Sequence, residues 1–143
     1  MSFMFKKTAV GFMAASVLAF ASLAQAAAPE SVDGATTVNT AEAKKLWDSG
    51  ATFIDSRKKE DWADGHIAKA IHLDRGDREN YTRDKVSKMF KKDQALVTYC
   101  YGEVCTRSSQ MAADLVSLGY TNVYFYREGF PGWSFGGHPI ESK

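Results

Sequence analysis

Short apolar segments typical of β-strands alternate with helical segments along most of this chain. Residues 95–99 form a run of β-forming side chains, and residues 108–118 then carry apolar side chains at helical spacing before Gly119. A helix between two strands makes a crossover connection, which favours parallel pairing with helices on both faces of the sheet. The pattern therefore predicts an α/β fold with a mostly parallel central sheet of about five strands.

The other segments fit the same architecture. Residues 27–35 are expected to form an extended lead-in, and residues 65–67 a turn. Further strands are expected over residues 51–54, 70–73 and 122–126, and helices over residues 40–48, around 60–63, within 77–90 and from residue 129. In such sheets, side chains at the carboxyl ends of the strands carry the chemistry.

The N-terminus has the pattern of a secretory signal peptide. Lys6 and Lys7 precede an apolar run over about residues 8–23, which is followed by the small-x-small sequence of residues 24–26. The run is close to the lower limit of about 17–25 residues for a membrane span, so an uncleaved anchor is the alternative. We expect cleavage, with no stable membrane span afterwards.

Cleavage would leave one domain, with residues 1–26 removed and residues 27–143 retained. We expect this domain to be exported to a bacterial periplasm. The chain has 18 basic and 17 acidic residues, so loss of Lys6 and Lys7 leaves 16 basic residues and a net charge of −1. Such near-neutrality gives no argument for nucleic acid as a partner.

Both cysteines lie where the central strand segment leads into a helix. Cys100 follows residues 95–99, and Gly102 lies in the short loop before the helix. Unpaired N–H groups and the helix dipole at this position stabilise a thiolate, which makes the sulfur nucleophilic. The alternative is that Cys100 is a buried, small apolar residue. We favour the nucleophile, because Gly102 and the helix start together suit an anion site.

Cys100 and Cys105 also invite a disulfide interpretation, since an exported chain meets an oxidising environment. A bridge between them would close a very short loop and stabilise the fold less than a long-loop bridge. A purely structural disulfide is therefore the weaker hypothesis, and a redox-active or reactive pair is the stronger one.

Three motifs in order resemble those of a single-domain rhodanese, a member of the sulfurtransferase family. The first motif is Phe53-Ile-Asp-Ser-Arg57 with Trp62 and Gly65-His-Ile67. The second is Tyr99-Cys-Tyr-Gly102 with Arg107-Ser108. The third is Glu128-Gly129 with Trp133 and Gly137-His-Pro139. Together they extend over nearly all of residues 27–143, so the resemblance implies a single rhodanese-like domain.

The resemblance implies that Cys100 carries sulfur as a persulfide, without a cofactor. The sulfur would come from a small donor such as thiosulfate or a persulfide, and would pass to cyanide, to a thiol or to a periplasmic protein. The residues that would bind substrate and surround the persulfide follow Cys100 in the loop: Tyr101, Gly102, Glu103, Val104, Cys105, Thr106 and Arg107.

Two departures from the family pattern concern this loop. Cys105 stands where short-loop rhodaneses have an arginine or a small residue, and the chain resembles a sub-group with a second loop cysteine. The charge of Glu103 opposes both a dianionic donor and the thiolate, and we expect Arg107 to offset it. Glu103 thus argues more against thiosulfate as natural donor than against sulfur transfer itself.

Three roles for Cys105 stay open on the sequence. It could resolve the persulfide by forming a disulfide with Cys100 and releasing sulfide, it could protect Cys100 from over-oxidation, or it could be inert.

The remaining polar residues of the motifs are expected to support the structure. Asp55 and Arg57 would pair at a strand end, and the ring of His66 would make local hydrogen bonds in a turn. His72 and His138 show no metal-ligand spacing, so no metal site is predicted. Tyr101 lies in the loop, where it could line the substrate entrance.

Three other functions compete with sulfur transfer. One is a thiol–disulfide redox protein that uses Cys100 and Cys105, and another is a non-catalytic module that carries sulfur or docks to a partner. The third is a related phosphatase or arsenate reductase, which ranks low. Such enzymes usually have five residues between cysteine and arginine, whereas six separate Cys100 from Arg107, and Glu103 repels phosphate.

Overall fold

Seven strands and five helices follow one another along residues 27–143, the part of the chain that the computed structural model describes. In chain order they are β1 (Thr36–Val38), α1 (Thr40–Asp48), β2 (Thr52–Asp55), α2 (Lys59–Asp64), β3 (His66–Ile67), β4 (Ile71–His72), α3 (Arg83–Ser87), β5 (Leu96–Tyr99), α4 (Arg107–Ser117), β6 (Val123–Tyr126), α5 (Gly129–Phe135) and β7 (Ile140–Glu141). The predicted signal peptide, residues 1–26, lies outside the described residues.

Five of these strands form one parallel sheet in the order β1-β6-β5-β2-β4. β5, which leads to Cys100, is the central strand and pairs with β2 on one side and β6 on the other. β3 and β7 pair separately as a two-stranded antiparallel ribbon. The predicted α/β fold with a parallel sheet of about five strands is confirmed.

The sheet has a hydrophobic core on each face, because successive residues of a strand point to opposite sides. On one face Ile54, Leu96 and Phe125 pack with Met111 and Leu115 of α4 and with Val86 of α3. On the other face Phe53, Val97 and Tyr126 pack with Ala43 of α1 and Trp133 of α5. Each fully buried large side chain contributes about 1.5–3 kcal/mol relative to an exposed one. The helices therefore cover both faces, as predicted.

Local signals set the ends of the two longest helices. α1 begins with a capping box, in which Asn39 accepts a hydrogen bond from the Glu42 N–H and Glu42 accepts one from the Asn39 N–H, both at 2.9 Å. α4 ends before Gly119, whose φ of +89° is a conformation that glycine adopts without steric cost.

Several features differ from the sequence prediction, among them the strand β7, for which no strand was predicted. β1 was not predicted, since it has only three residues and two of them are exposed. The helix expected within residues 77–90 is limited to Arg83–Ser87, because Thr82 caps it by accepting a hydrogen bond from the Lys85 N–H. The turn over residues 65–67 contains the short strand β3. None of the helices within residues 27–143 is both long and apolar enough to cross a membrane.

Candidate active site

Cys100 lies at the carboxyl edge of the parallel sheet, directly after its central strand. Asp55 ends the neighbouring strand β2 and is in register with Tyr99. A loop over residues 100–106 then leads into α4, which begins at Arg107. The topology thus brings Cys100, Asp55 and the N-terminus of α4 to one edge of the sheet, the usual location of a site in this architecture.

The loop turns at Gly102, and a disulfide joins its two cysteines. Gly102 has a φ of +105°, and its carbonyl accepts a hydrogen bond from the Cys105 N–H at 3.1 Å. Cys100 and Cys105 form a disulfide, with their Cα atoms 6.2 Å apart. Cys100 is fully buried, whereas Cys105 is 9% exposed. Cys100 can therefore act as a nucleophile only after this bond has been reduced.

The start of α5 packs against the loop at Gly129. The carbonyl of Cys100 accepts a hydrogen bond from the Phe130 N–H at 2.9 Å. Gly129 has a φ of +61°, and a Cβ atom built there would lie 2.5 Å from the Cys100 carbonyl oxygen and 2.7 Å from the Gly102 nitrogen. Only a residue without a side chain lets the two backbone segments approach this closely.

Replacing Gly129 with alanine is expected to destabilise the domain more than replacing Gly119 with alanine. Both positions have positive φ, which costs an alanine roughly 1–2 kcal/mol, but a Cβ at Gly119 meets nothing within 4 Å. The clash at Gly129 adds about 1–3 kcal/mol. Urea unfolding of the two variants measures the difference, and equal losses of unfolding free energy would contradict the close approach of α5 to the loop.

A buried ion pair lies beside the loop. The Asp55 carboxylate accepts hydrogen bonds from the Arg57 side chain, the shortest being Nη2–Oδ2 at 2.7 Å, and one from the Tyr99 hydroxyl at 2.7 Å. Arg57 Nη2 also donates to the Gly65 carbonyl at 2.6 Å. Burial and the Asp55 charge raise the pKa of Tyr99, so its hydroxyl stays protonated and donates. All three side chains are buried, and each is hydrogen-bonded within this group.

Arg57 connects this ion pair to the loop. Its guanidinium carbon lies 4.2 Å from the centre of the Phe130 ring and 5.7 Å from that of Tyr101. The Tyr101 hydroxyl donates a short hydrogen bond to the Asp61 carboxylate of α2. Burial and this bond raise the pKa of Tyr101. Tyr101 is thus held in place at one end of the loop.

His66 makes local contacts away from the cysteines. Its Nδ1 lies 2.7 Å from the Trp62 carbonyl oxygen, and its ring stacks on the Trp62 ring with the centroids 4.4 Å apart. Its Nε2 lies 3.7 Å from the Glu141 carboxylate. Within residues 27–143 no cluster of three or more histidine, cysteine or acidic side chains is placed to hold a metal ion.

The charge of Glu103 is offset by Arg127, which corrects the expectation that Arg107 does so. Arg127 Nη1 lies 2.8 Å from the Glu103 carboxylate, while Arg107 pairs with Asp74 at 2.9 Å. Arg127 is 24 positions beyond Glu103 in the chain, so no local pattern could have indicated this contact. Glu103 faces solvent and has a cationic partner, which weakens its opposition to a thiolate at Cys100.

The N-terminal segment also touches the loop. The Ala28 N–H donates to the Glu103 carbonyl at 2.7 Å, and Ala28 is buried. The Arg127 side chain donates to the Pro29 and Ala28 carbonyls at 3.0 and 3.2 Å. Arg127 therefore holds the lead-in segment and the loop together. Sequence analysis missed both Ala28 and Arg127 as neighbours of the site.

Two grooves flank the loop. One, of about 550 Å³, is lined by residues 101–104 and by Pro131 and Phe135 of α5; Val104 and Phe135 are 78% and 97% exposed. The other, of about 480 Å³, has a lining that includes Thr106 and four arginines: Arg75, Arg78, Arg83 and Arg107. Asp74 and Asp114 pair with three of these arginines. The loop thus separates a mostly apolar groove from a basic one.

The start of α4 suits an anionic sulfur. Its first turn, residues 107–110, contains Arg107 and no carboxylate, and Thr106 makes no side-chain cap to the helix. The N–H groups of this turn and the helix dipole favour negative charge nearby, whereas the charge of Arg107 is offset by its pairing with Asp74. Once reduced, Cys100 therefore has the surroundings of a nucleophilic thiolate.

Comparison with known proteins agrees with this architecture. Residues 39–135 match the family model of the rhodanese-like domain. The thiosulfate sulfurtransferase GlpE of Actinobacillus pleuropneumoniae is 35% identical over 95 residues, which cover 65% of this chain and 80% of that protein.

Solved structures show the same fold. The BH2092 protein of Bacillus halodurans has a TM-score of 0.65 at 22% identity, covering 76% of this chain and 77% of that one. A Rhodopseudomonas palustris protein of unknown function, described as a possible tyrosine phosphatase, has a TM-score of 0.59 at 31% identity over 75% of this chain and 85% of its own. From the family match over residues 39–135 and the parallel sheet that ends in Cys100, the chain belongs to the rhodanese-like domain family.

Proposed function

We propose that this chain is an exported sulfurtransferase that carries a sulfane sulfur as a persulfide on Cys100. The general activity follows from its relatives: the chain is a rhodanese-type sulfurtransferase, related to thiosulfate sulfurtransferases at about 35% identity. The observation that supports Cys100 as the carrier is its position between the central strand and the N-terminus of α4. The proposed reaction requires no cofactor.

The reaction begins with the reduced protein. The Cys100 thiolate attacks the outer sulfur of a donor such as thiosulfate, a Cys100–sulfur bond forms, and sulfite leaves with the electron pair of the broken sulfur–sulfur bond. An acceptor then attacks the outer sulfur of the persulfide, and Cys100 leaves again as a thiolate. Cyanide would give thiocyanate, and a thiol or a protein thiol would give a new persulfide. The two half-reactions predict ping-pong kinetics.

The surroundings of the loop support an anionic donor. Backbone N–H groups of the loop and of the first turn of α4 stabilise the persulfide anion, as donors at an oxyanion site do elsewhere. Arg107 and the basic groove lie on the same side of the loop as α4. The Arg127–Glu103 pair offsets the carboxylate that would otherwise repel thiosulfate or a persulfide.

Intact mass spectrometry tests the persulfide. Protein purified after expression of the full chain is reduced, freed of reductant, and treated with thiosulfate and then cyanide. For Cys105→Ser, which has no second loop thiol, we expect a gain of one sulfur atom, located on Cys100 by peptide mapping, and its loss as thiocyanate. For the wild type we expect the release of sulfite on addition of thiosulfate. Reduced protein whose thiols have been alkylated beforehand is the control and gains nothing. The absence of both a sulfur gain and released sulfite would reject the proposal.

Export is tested by fractionation of a Gram-negative host that expresses the full chain. We expect the protein in the periplasm with an N-terminus at about Ala27, because residues 24–26 have the small-x-small pattern typical of a cleavage signal. A variant with two lysines introduced into the apolar run is expected to stay in the cytoplasm. Intact protein found in the inner membrane would indicate an uncleaved anchor instead.

A second function is favoured by the disulfide itself: a thiol–disulfide redox protein that uses Cys100 and Cys105. The same mass measurement separates the two functions. A redox protein would lose two hydrogens under a mild oxidant, and neither it nor its Cys105→Ser variant would gain sulfur or release sulfite with thiosulfate. A protein that gained sulfur but did not pass it to any thiol or to cyanide would instead be a sulfur-carrying module.

A further inference from the structure

We infer that Cys105 resolves the Cys100 persulfide, so that the chain releases the transferred sulfur as hydrosulfide and ends in the Cys100–Cys105 disulfide. The inference rests on the proposed persulfide on Cys100 and adds a second activity, the reductive release of sulfide. It assigns a chemical role to Cys105, which simple transfer to cyanide does not require.

The backbone places Cys105 beside Cys100 without any rearrangement of the fold. The turn at Gly102 brings the two Cα atoms to 6.2 Å, a separation that permits the bond seen between them. Three contacts that do not involve the cysteine sulfurs hold the loop in this shape: Phe130 N–H to the Cys100 carbonyl, Ala28 N–H to the Glu103 carbonyl, and the Arg127–Glu103 ion pair. These contacts do not depend on the disulfide, so the reduced loop keeps the two sulfurs close.

This proximity favours internal resolution over attack by an external thiol. A group held next to its target reacts as if present at a very high concentration, often about 10⁵ M or more in well-oriented cases. External thiols at millimolar concentration must also reach Cys100, which is fully buried in the disulfide form. In the absence of a strong acceptor such as cyanide, the Cys105 thiol is therefore expected to react with the persulfide before any external thiol does.

The resolving step balances in atoms and electrons. The Cys105 sulfur attacks the Cys100 Sγ, the bond from Sγ to the outer sulfur breaks, and the outer sulfur leaves with the electron pair. The proton of the Cys105 thiol passes to this sulfur, which departs as hydrosulfide. The outer sulfur gains two electrons and the two cysteine sulfurs together lose two. With thiosulfate as donor, each thiosulfate yields one sulfite and one hydrosulfide.

Burial of the two sulfurs determines how the dithiol is restored. As whole residues, Cys105 is 9% exposed and Cys100 is not exposed, which favours attack by an external dithiol reductant on Cys105. Attack there forms a mixed disulfide on Cys105 and releases Cys100 as a thiolate, beside the N-terminus of α4. The second thiol of the reductant then frees Cys105. Each hydrosulfide thus consumes one dithiol, and the nucleophile is regenerated in its reactive form.

A single-turnover experiment without any acceptor tests the inference. Protein purified after expression of the full chain is reduced, freed of reductant under anaerobic conditions, and mixed with one equivalent of thiosulfate. For the wild type we expect equal amounts of sulfite and hydrosulfide, and an intact mass two hydrogens below that of the reduced protein. For Cys105→Ser we expect sulfite without hydrosulfide, and a mass that keeps one added sulfur.

The outcomes separate the inference from the proposed function. A wild type that retains the added sulfur as stably as Cys105→Ser overturns the role of Cys105 and leaves sulfur transfer intact. If neither protein releases sulfite or gains sulfur, the proposed function fails together with the inference. Cys105→Ala serves as a second variant, and circular dichroism checks that both variants are folded before either result is interpreted.

Discussion

Replacing Cys100 with serine is expected to lower sulfur transfer from thiosulfate to cyanide by a factor on the order of 10³ or more while the domain stays folded. A serine hydroxyl at neutral pH is protonated and does not form a persulfide, so the first half-reaction has no nucleophile. The loop keeps its contacts with Gly129 and Glu128, because these involve the backbone of Cys100 and Gly102 rather than the sulfur.

Cys105→Ser is the matched control for this loss. Both variants lack the disulfide, so any change that comes from its removal is common to the two proteins. Cys105→Ser is expected to transfer sulfur to cyanide, since its Cys100 persulfide still forms and cyanide attacks the outer sulfur. Thiocyanate production measures the rates. Comparable turnover by Cys100→Ser and Cys105→Ser would contradict Cys100 as the sulfur carrier.

Replacing Asp55 with alanine is expected to lower the free energy of unfolding by about 3–5 kcal/mol, since it leaves a buried charge on Arg57 without its partner. The Arg57 side chain is 4% exposed and donates to the Asp55 carboxylate through Nε and Nη2. The Tyr99 hydroxyl loses its acceptor in the same variant. Because Arg57 also lies over Tyr101, persulfide formation is expected to slow as well.

Asp48→Ala is the matched control for Asp55→Ala. Asp48 pairs with Lys44 at 2.6 Å, a distance similar to that of the buried pair, but its side chain is 54% exposed. An exposed pair contributes about 1 kcal/mol or less, because water screens both charges. Urea unfolding at neutral pH compares the two variants. Equal losses of unfolding free energy would show that the buried Asp55–Arg57 pair stabilises the domain no more than the exposed Asp48–Lys44 pair.

The core of the fold and the position of Cys100 could be predicted from the sequence, because the signals are local. The run before Cys100 is apolar on both faces, and the spacing of Met111 and Leu115 identifies the helix that follows. Gly102 between them indicates a tight loop. Each of these features acts within a few residues, so periodicity and turn chemistry are sufficient to locate them.

The features that could not be predicted depend on contacts between distant parts of the chain. β1 becomes a strand because it pairs with β6, and β3 because it pairs with β7. The partner of Glu103 is Arg127 rather than the nearer Arg107, since the turn after β6 and the loop after β5 meet at the same sheet edge. Propensity carries no information on such pairings.

The strand order also determines when the site becomes competent during synthesis. β5 lies between β2 and β6, and Gly129, which supports the loop, follows β6. The ribosome synthesises the chain from the N-terminus, so Cys100 emerges before the neighbouring strand β6 and before Gly129. Until about residue 130 has been added, the loop lacks its contacts with Gly129 and Phe130. The loop conformation that brings Cys100 and Cys105 together is therefore completed only after β6 and the start of α5 have been synthesised.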